Sequence, residues 1–136
     1  MAKYKAAIIE IGVMVDELLR QGILILFDKT APPELQEISV VHTGASLEED
    51  VEVGDLVVLG DFSYKVTAVG EIANRNLRNI GHACLKFDGR NLPELPGDIH
   101  LYGGELPFSL KKGDVIIIKD EKKIVFLSLF YKLIGR

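Results

Sequence analysis

The chain is 136 residues long with a net charge of −4, and 48% of its residues are hydrophobic; this suits one domain around one compact core and argues against a nucleic-acid-binding face. Cys84 is the single cysteine, so an intramolecular disulfide is excluded. The start Met1-Ala2-Lys3-Tyr4 lacks the apolar stretch of a signal peptide and no apolar run approaches the ~20 residues of a membrane span, so a cytoplasmic protein is expected.

Tyr4 to Ile11 reads as a strand ending at Gly12, and Val13 to Arg20 as a short helix closed by Gly22. Ile23 to Phe27 is a continuous apolar run too short for a buried helix, which suits an interior strand. The adjacent prolines Pro32 and Pro33 open about one helical turn over Glu34 to Glu37. Ile38 to His42 is a strand ended by Thr43-Gly44. The acidic stretch Ala45 to Val53 reads as a solvated loop; no histidine stands at a spacing that would turn its carboxylates into a metal site. Leu56 to Leu59 and the run from Phe62 form a hairpin about Gly60-Asp61. From Tyr64 to Gly89 the period changes twice: Val66, Thr67 and Val69 make a strand, Ile72, Ala73, Leu77 and Ile80 fall at helical spacing, and Ala83, Leu85 and Phe87 alternate again. Gly81 stops the helix. A further strand follows Gly113-Asp114. Some eight short strands with two or three short helices predict a mainly β fold, a closed antiparallel-type β-barrel over a single domain, residues 1–136.

No nucleophile elbow, phosphate-binding glycine loop, dinucleotide fingerprint or paired-cysteine zinc spacing occurs, so most enzyme classes lose their usual signature. Neither a metal nor a cofactor is expected. Three histidines remain. His42 stands where an apolar strand meets Thr43-Gly44, on a rigid element beside a turn whose backbone N–H groups could receive an anion. A neutral imidazole there would be a nucleophile able to hold a phosphoryl group; the competing reading is a structural histidine that ends a strand. His82, after the helix-ending Gly81, reads either as a satisfied polar group or as one that orients His42 or contacts a phosphoryl group. His100 alternates with apolar neighbours and faces solvent or the same pocket. Arg78 would offset phosphate charge if it turned inward from its helix. Cys84, inside a strand without a base in sequence, reads as inert.

The ordered set Tyr64-x-Val66-Thr67-Ala68-Val69-Gly70, Asn76-Leu77-Arg78, Gly81-His82, Phe87-Asp88-Gly89, Pro96-Gly97 and His100, with Ile11-Gly12, Ile23 to Phe27, Ala31-Pro32 and Val41-His42 upstream and Gly113-Asp114-Val115 downstream, resembles the glucitol/sorbitol-specific IIA component of the bacterial sugar phosphotransferase system. The resemblance covers residues 4 to 120, which leaves 121–136 as an additional apolar and basic segment. It implies a closed β-barrel and a phosphocarrier. In that reading His42 accepts a phosphoryl group from the phosphocarrier protein HPr and passes it to the IIB component, as the IIC permease imports and phosphorylates a hexitol. His82 and His100 would support it, and Thr43, Gly44 and Arg78 would contact the phosphate. The expected docking surface is an apolar patch made of Val40, Val41 and residues near Phe62. A noncatalytic regulatory or protein-binding domain that keeps the fold is the alternative. The segment Lys122 to Arg136 reads as a last element packed on the barrel or as a peripheral contact with the membrane-bound permease. Oligomeric state is left open, since a free barrel edge or this tail would pair two chains.

Overall fold

The computed structural model describes residues 2–121 and 132–134. Eight strands close a barrel: β1 (Ala2–Ile11), β2 (Ile23–Asp28), β3 (Ser39–His42), β4 (Leu56–Leu59), β5 (Phe62–Val69), β6 (Ala83–Lys86), β7 (Asp98–Tyr102) and β8 (Val115–Lys119). Three short helices lie between them: α1 (Val15–Arg20), α2 (Pro33–Gln36) and α3 (Ala73–Ile80). Around the circle the order is β1, β3, β2, β6, β7, β5, β4, β8, with β8 paired back to β1. Closure leaves none of these eight strands with an unpaired edge, so the expected route to dimerisation through a barrel edge is absent among the described residues. The tail from Lys122 lies outside the described residues except for 132–134, which are exposed.

Alternation sets the core. Tyr4, Ala6 and Ile8 of β1, Leu24 and Leu26 of β2, Val57 and Leu59 of β4, Tyr64 and Val66 of β5, Leu85 of β6, Ile99 and Leu101 of β7, and Ile116 and Ile118 of β8 are all buried and form one cluster. These are the period-2 positions of each run, as a barrel with one filled interior requires.

Two of the eight pairings are parallel, β2 with β3 and β6 with β7, so the barrel is mixed and not purely antiparallel. A parallel neighbour needs a crossover connection instead of a hairpin turn. Between β2 and β3 that connection holds α2, and between β6 and β7 it is the loop 87–97. The consequence is positional. In the parallel register Asp28 stands beside His42, and the antiparallel pairing of β2 with β6 puts Leu26 beside Ala83. The carboxyl ends of β2 and β3 therefore meet the Gly81-His82 junction that enters β6.

Candidate functional site: a buried imidazole at one end of the barrel

α3 ends at Gly81, whose φ of 61° lies in the left-handed region and whose N–H closes the helix on Leu77. A glycine is required there on two counts. The conformation disfavours any Cβ, and a Cβ at this position would stand 2.6 Å from Cε1 of His42 and 2.8 Å from Cβ of Asp28. The helix end is pressed directly on the His42 ring.

His42 lies on the same strand face as core residue Val40, and it is 0% exposed. Its Nε2–H donates to the Gly81 carbonyl at 2.8 Å, and its Nδ1 accepts the Gly44 N–H at 3.0 Å. A backbone N–H can only donate and a carbonyl can only accept, so the two bonds fix one neutral tautomer, with the proton on Nε2 and the lone pair on Nδ1. Burial pushes the imidazole below its ordinary range, outweighing the Gly81 carbonyl and the Asp28 charge, which act the other way. The ring is thus held neutral at pH 7. Tyr4 packs edge-on against it, with centroids 5.9 Å apart at 89°.

Asp28, which the sequence did not single out, turns one carboxylate oxygen, Oδ1, toward the Thr30 N–H and hydroxyl. His82 is half-buried, stacks on Phe27 with centroids 4.8 Å apart, and donates from Nδ1 to the Leu26 carbonyl at 3.1 Å. In the neutral form of this ring the lone pair would be on Nε2, and through Gly81 its backbone adjoins His42. The two histidines share the Gly81 junction, His42 on its carbonyl and His82 next in the chain, while the His82 ring packs on Phe27.

The remaining expected residues are placed otherwise. The Thr43 N–H continues the β1 ladder by bonding the Ala7 carbonyl, and the Gly44 N–H is taken by His42, so neither turn amide is open to an anion in this conformation. Arg78 is exposed on α3 and bonds Asp50 at 2.7 Å, away from His42. Val40 and Val41 are buried, with α2 packed against β3, and half-buried Phe62 lies on β5 across the barrel, so these residues do not form the expected docking patch.

His100 belongs to a second cluster. It alternates with the inward Ile99 and Leu101, so its side chain faces out of the barrel, where the loop 87–97 covers it completely. Nδ1–H donates to Asp88 at 2.7 Å and Nε2 accepts the Glu94 N–H at 3.1 Å. Asp98, in turn, pairs with Lys86 at 2.9 Å and accepts the Leu95 N–H. His100 faces neither solvent nor the His42 pocket. Cys84 is half-buried, and burial, together with the Asp98 charge, pushes its thiol up to about 11, the state of an inert thiol. Among the described residues no group of three metal-ligating side chains converges, and no helix is long and apolar enough to cross a membrane.

The family model for the glucitol/sorbitol-specific IIA component of the phosphotransferase system matches residues 3–117. Glucitol/sorbitol-specific EIIA components from Shigella flexneri and from Escherichia coli strain K12 are each 36% identical over 120 residues, covering 88% of this chain and 97% of theirs. The crystal structure of a phosphotransferase-system IIA component from Enterococcus faecalis V583 is 28% identical with a TM-score of 0.71, covering 82% of this chain and 96% of that one. The chain belongs to the glucitol/sorbitol-specific IIA family, and with that comes a phosphocarrier role in the phosphotransferase system.

Proposed function

We propose that His42 accepts a phosphoryl group from phospho-HPr and passes it to a cysteine of the IIB component during uptake and phosphorylation of a hexitol such as glucitol, in the cytoplasm. The observation that carries this reading is the tautomer of His42: a neutral ring whose proton is fixed on Nε2 and whose lone pair is on Nδ1, in a chain of this family. Neutrality is what a nucleophilic imidazole needs, and a held tautomer removes the cost of orienting it at the moment of transfer. The chemistry asks for little beyond alignment and donors about the transferring group.

The burial of His42 sets a condition on this reading. Transfer requires the segment following Thr43 to lift from the barrel end, which breaks the Gly44 N–H bond and frees the Nδ1 lone pair. His82, half-buried and held by Nδ1 on the Leu26 carbonyl, is the competing acceptor. The same burial favours the second reading, a protein-binding domain that keeps the fold without carrying phosphate.

The protein, incubated with phosphoenolpyruvate, enzyme I and HPr, should acquire one acid-labile phosphate. His42→Gln should acquire none, and His82→Gln should retain it with a slower rate. Phosphate on His42→Gln would refute the assignment, and a wild-type protein that binds HPr or IIB but takes no phosphate would favour the second reading.

A further inference from the structure

Tyr4 is 1% exposed and its hydroxyl has no hydrogen-bond partner among the described residues. A phenylalanine would fill the same space without stranding a polar atom, so the bare hydroxyl costs stability as the chain stands. Its place explains why it is there. The residues after β3 run back along β1: the Thr43 N–H bonds the Ala7 carbonyl and the Glu48 N–H bonds the Lys3 carbonyl. Ala45 therefore comes beside Tyr4, and its amide faces the hydroxyl from outside ordinary bonding geometry. The neighbouring Gly44 amide is the one bound to Nδ1 of His42. A nitrogen lone pair, two consecutive peptide N–H groups and a phenolic O–H thus gather at one end of the barrel. The other buried hydroxyl without a partner, Thr67 Oγ1, is on β5, across the barrel from β3.

We propose that the Tyr4 hydroxyl donates a hydrogen bond to the phosphoryl group carried on His42. This rests on His42 being the acceptor. In the transfer the Nδ1 lone pair forms the new P–N bond while the P–N bond of the donor phosphohistidine breaks and its electron pair returns to the donor imidazole. Nε2 keeps its proton on the Gly81 carbonyl and the donor ring keeps its own, so no proton crosses between the proteins. The Gly44 N–H, displaced from Nδ1, and the Tyr4 O–H then meet phosphoryl oxygens, in the manner of fixed donors that await developing charge. Burial, with the Asp28 charge adding to it, pushes the Tyr4 hydroxyl up to about 12, so it remains a donor throughout the neutral range. Asp28 is the nearby carboxylate that would oppose an incoming phosphate, and its Oδ1 is turned to Thr30. Tyr4 and Ala45 also line a surface hollow of about 320 Å³ together with Lys5, Ser46 and Glu48.

The test compares wild-type protein, Tyr4→Phe and His42→Gln, each charged by phosphoenolpyruvate, enzyme I and HPr, and follows the transfer rate, the half-life of the phosphoprotein and its 31P chemical shift. Tyr4→Phe should still be phosphorylated on His42, with transfer slowed roughly tenfold, a shortened phosphoprotein half-life and a moved 31P resonance, while its melting temperature stays equal or rises. A ring-fluorinated tyrosine at position 4, a stronger donor of nearly the same shape, should lengthen the half-life. An unchanged rate, half-life and 31P shift in both variants would overturn the role of Tyr4 while leaving His42 as acceptor. Phosphate on His42→Gln, or none on wild type, would overturn both.

Discussion

Two histidines of this barrel are completely buried with both ring nitrogens engaged, and their surroundings give them opposite characters. His100 lies on the outer face of β7 among charges: Asp88 accepts its proton, and Asp98, Lys86 and Glu94 surround it. His42 lies on the inner face of β3 among neutral groups, held by a backbone carbonyl and a backbone amide, with Asp28 as its one charged neighbour of consequence. The first arrangement pins a long crossover loop to the sheet. The second keeps a lone pair behind a single backbone N–H that a loop movement can withdraw. The partner set, more than the depth of burial, separates a structural histidine from a latent nucleophile.

Replacing each ring in turn gives the sharpest contrast. His42→Gln should lose phosphate acceptance entirely, read as label incorporated from phospho-HPr. His100→Gln should retain it and lose about 1–3 kcal/mol of stability in urea denaturation, because it strands the Asp88 contact and the covered Glu94 amide. Equal phosphate loss in both variants would erase the distinction between the two regions.

Gly81→Ala should come next in size. A Cβ at 2.6 Å from the His42 ring and a φ of 61° together predict a loss of ~2–4 kcal/mol and displacement of His42 from its Gly81 hydrogen bond. Gly22→Ala shares the positive φ but meets nothing within 4 Å, so its cost should be only about 1 kcal/mol. Similar costs at the two positions would show that helix ending, and not the pressure of Gly81 on His42, sets the requirement.

The two regions should also separate along the pH axis. Burial holds the His42 pKa below 6.5, so the unfolded chain takes up its proton first. Stability is then lost as pH falls below ~6.5 and the loss levels off below the folded pKa, and in His42→Gln that part of the slope should vanish. For Asp88 burial pushes upward, but the His100 hydrogen bond, the Arg90 amide and the nearby His100 and Arg90 charges together outweigh it and hold the carboxyl below its ordinary value. Its contribution is present above the ordinary carboxylate range and is lost only at lower pH, as Asp88 protonates in the folded state. Urea midpoints across pH 3 to 8 for wild type and the two glutamine variants would show whether the two losses occur in separate windows.

The smallest effect should come from Arg78→Ala. Both partners of the Arg78 and Asp50 pair are largely exposed, which limits its worth to under ~1 kcal/mol. A large fall in phosphotransfer from this variant would mean that Arg78 leaves Asp50 and reaches the phosphoryl group when the barrel end opens.

Much of this was legible in the chain. The strands were written as alternation, with Tyr64, Val66 and Ala68 inward and Ser63 and Lys65 outward, and Gly81 was readable as a helix stop. The hairpin of β4 and β5 followed from Gly60-Asp61 between two apolar runs. The parallel pairings were not readable, because a crossover connection and a long antiparallel loop look alike in sequence. The site shared that limit. Asp28 reaches His42 through the parallel register of β2 and β3, and Tyr4 through the pairing of β1 with β3, so no local spacing connects either residue to position 42. Val40 is buried because it faces the barrel core, whereas Val41 points the other way and is buried on the side where α2 packs against β3, which a strand pattern does not record. The nearest signal for Tyr4 was its inward alternation with Ala6 and Ile8, a common core pattern that says nothing of an unpaired hydroxyl.

Long-range 1H–15N spectra of the imidazole rings, recorded at pH 7 before and after charging by phospho-HPr, test the central claim most directly. His42 should appear as the neutral tautomer with its proton on Nε2, and on phosphorylation its Nδ1 resonance should move while the His100 signals stay in place. A protonated His42 ring before transfer, or a phosphorylation shift on His82 or His100 in its stead, would contradict the account.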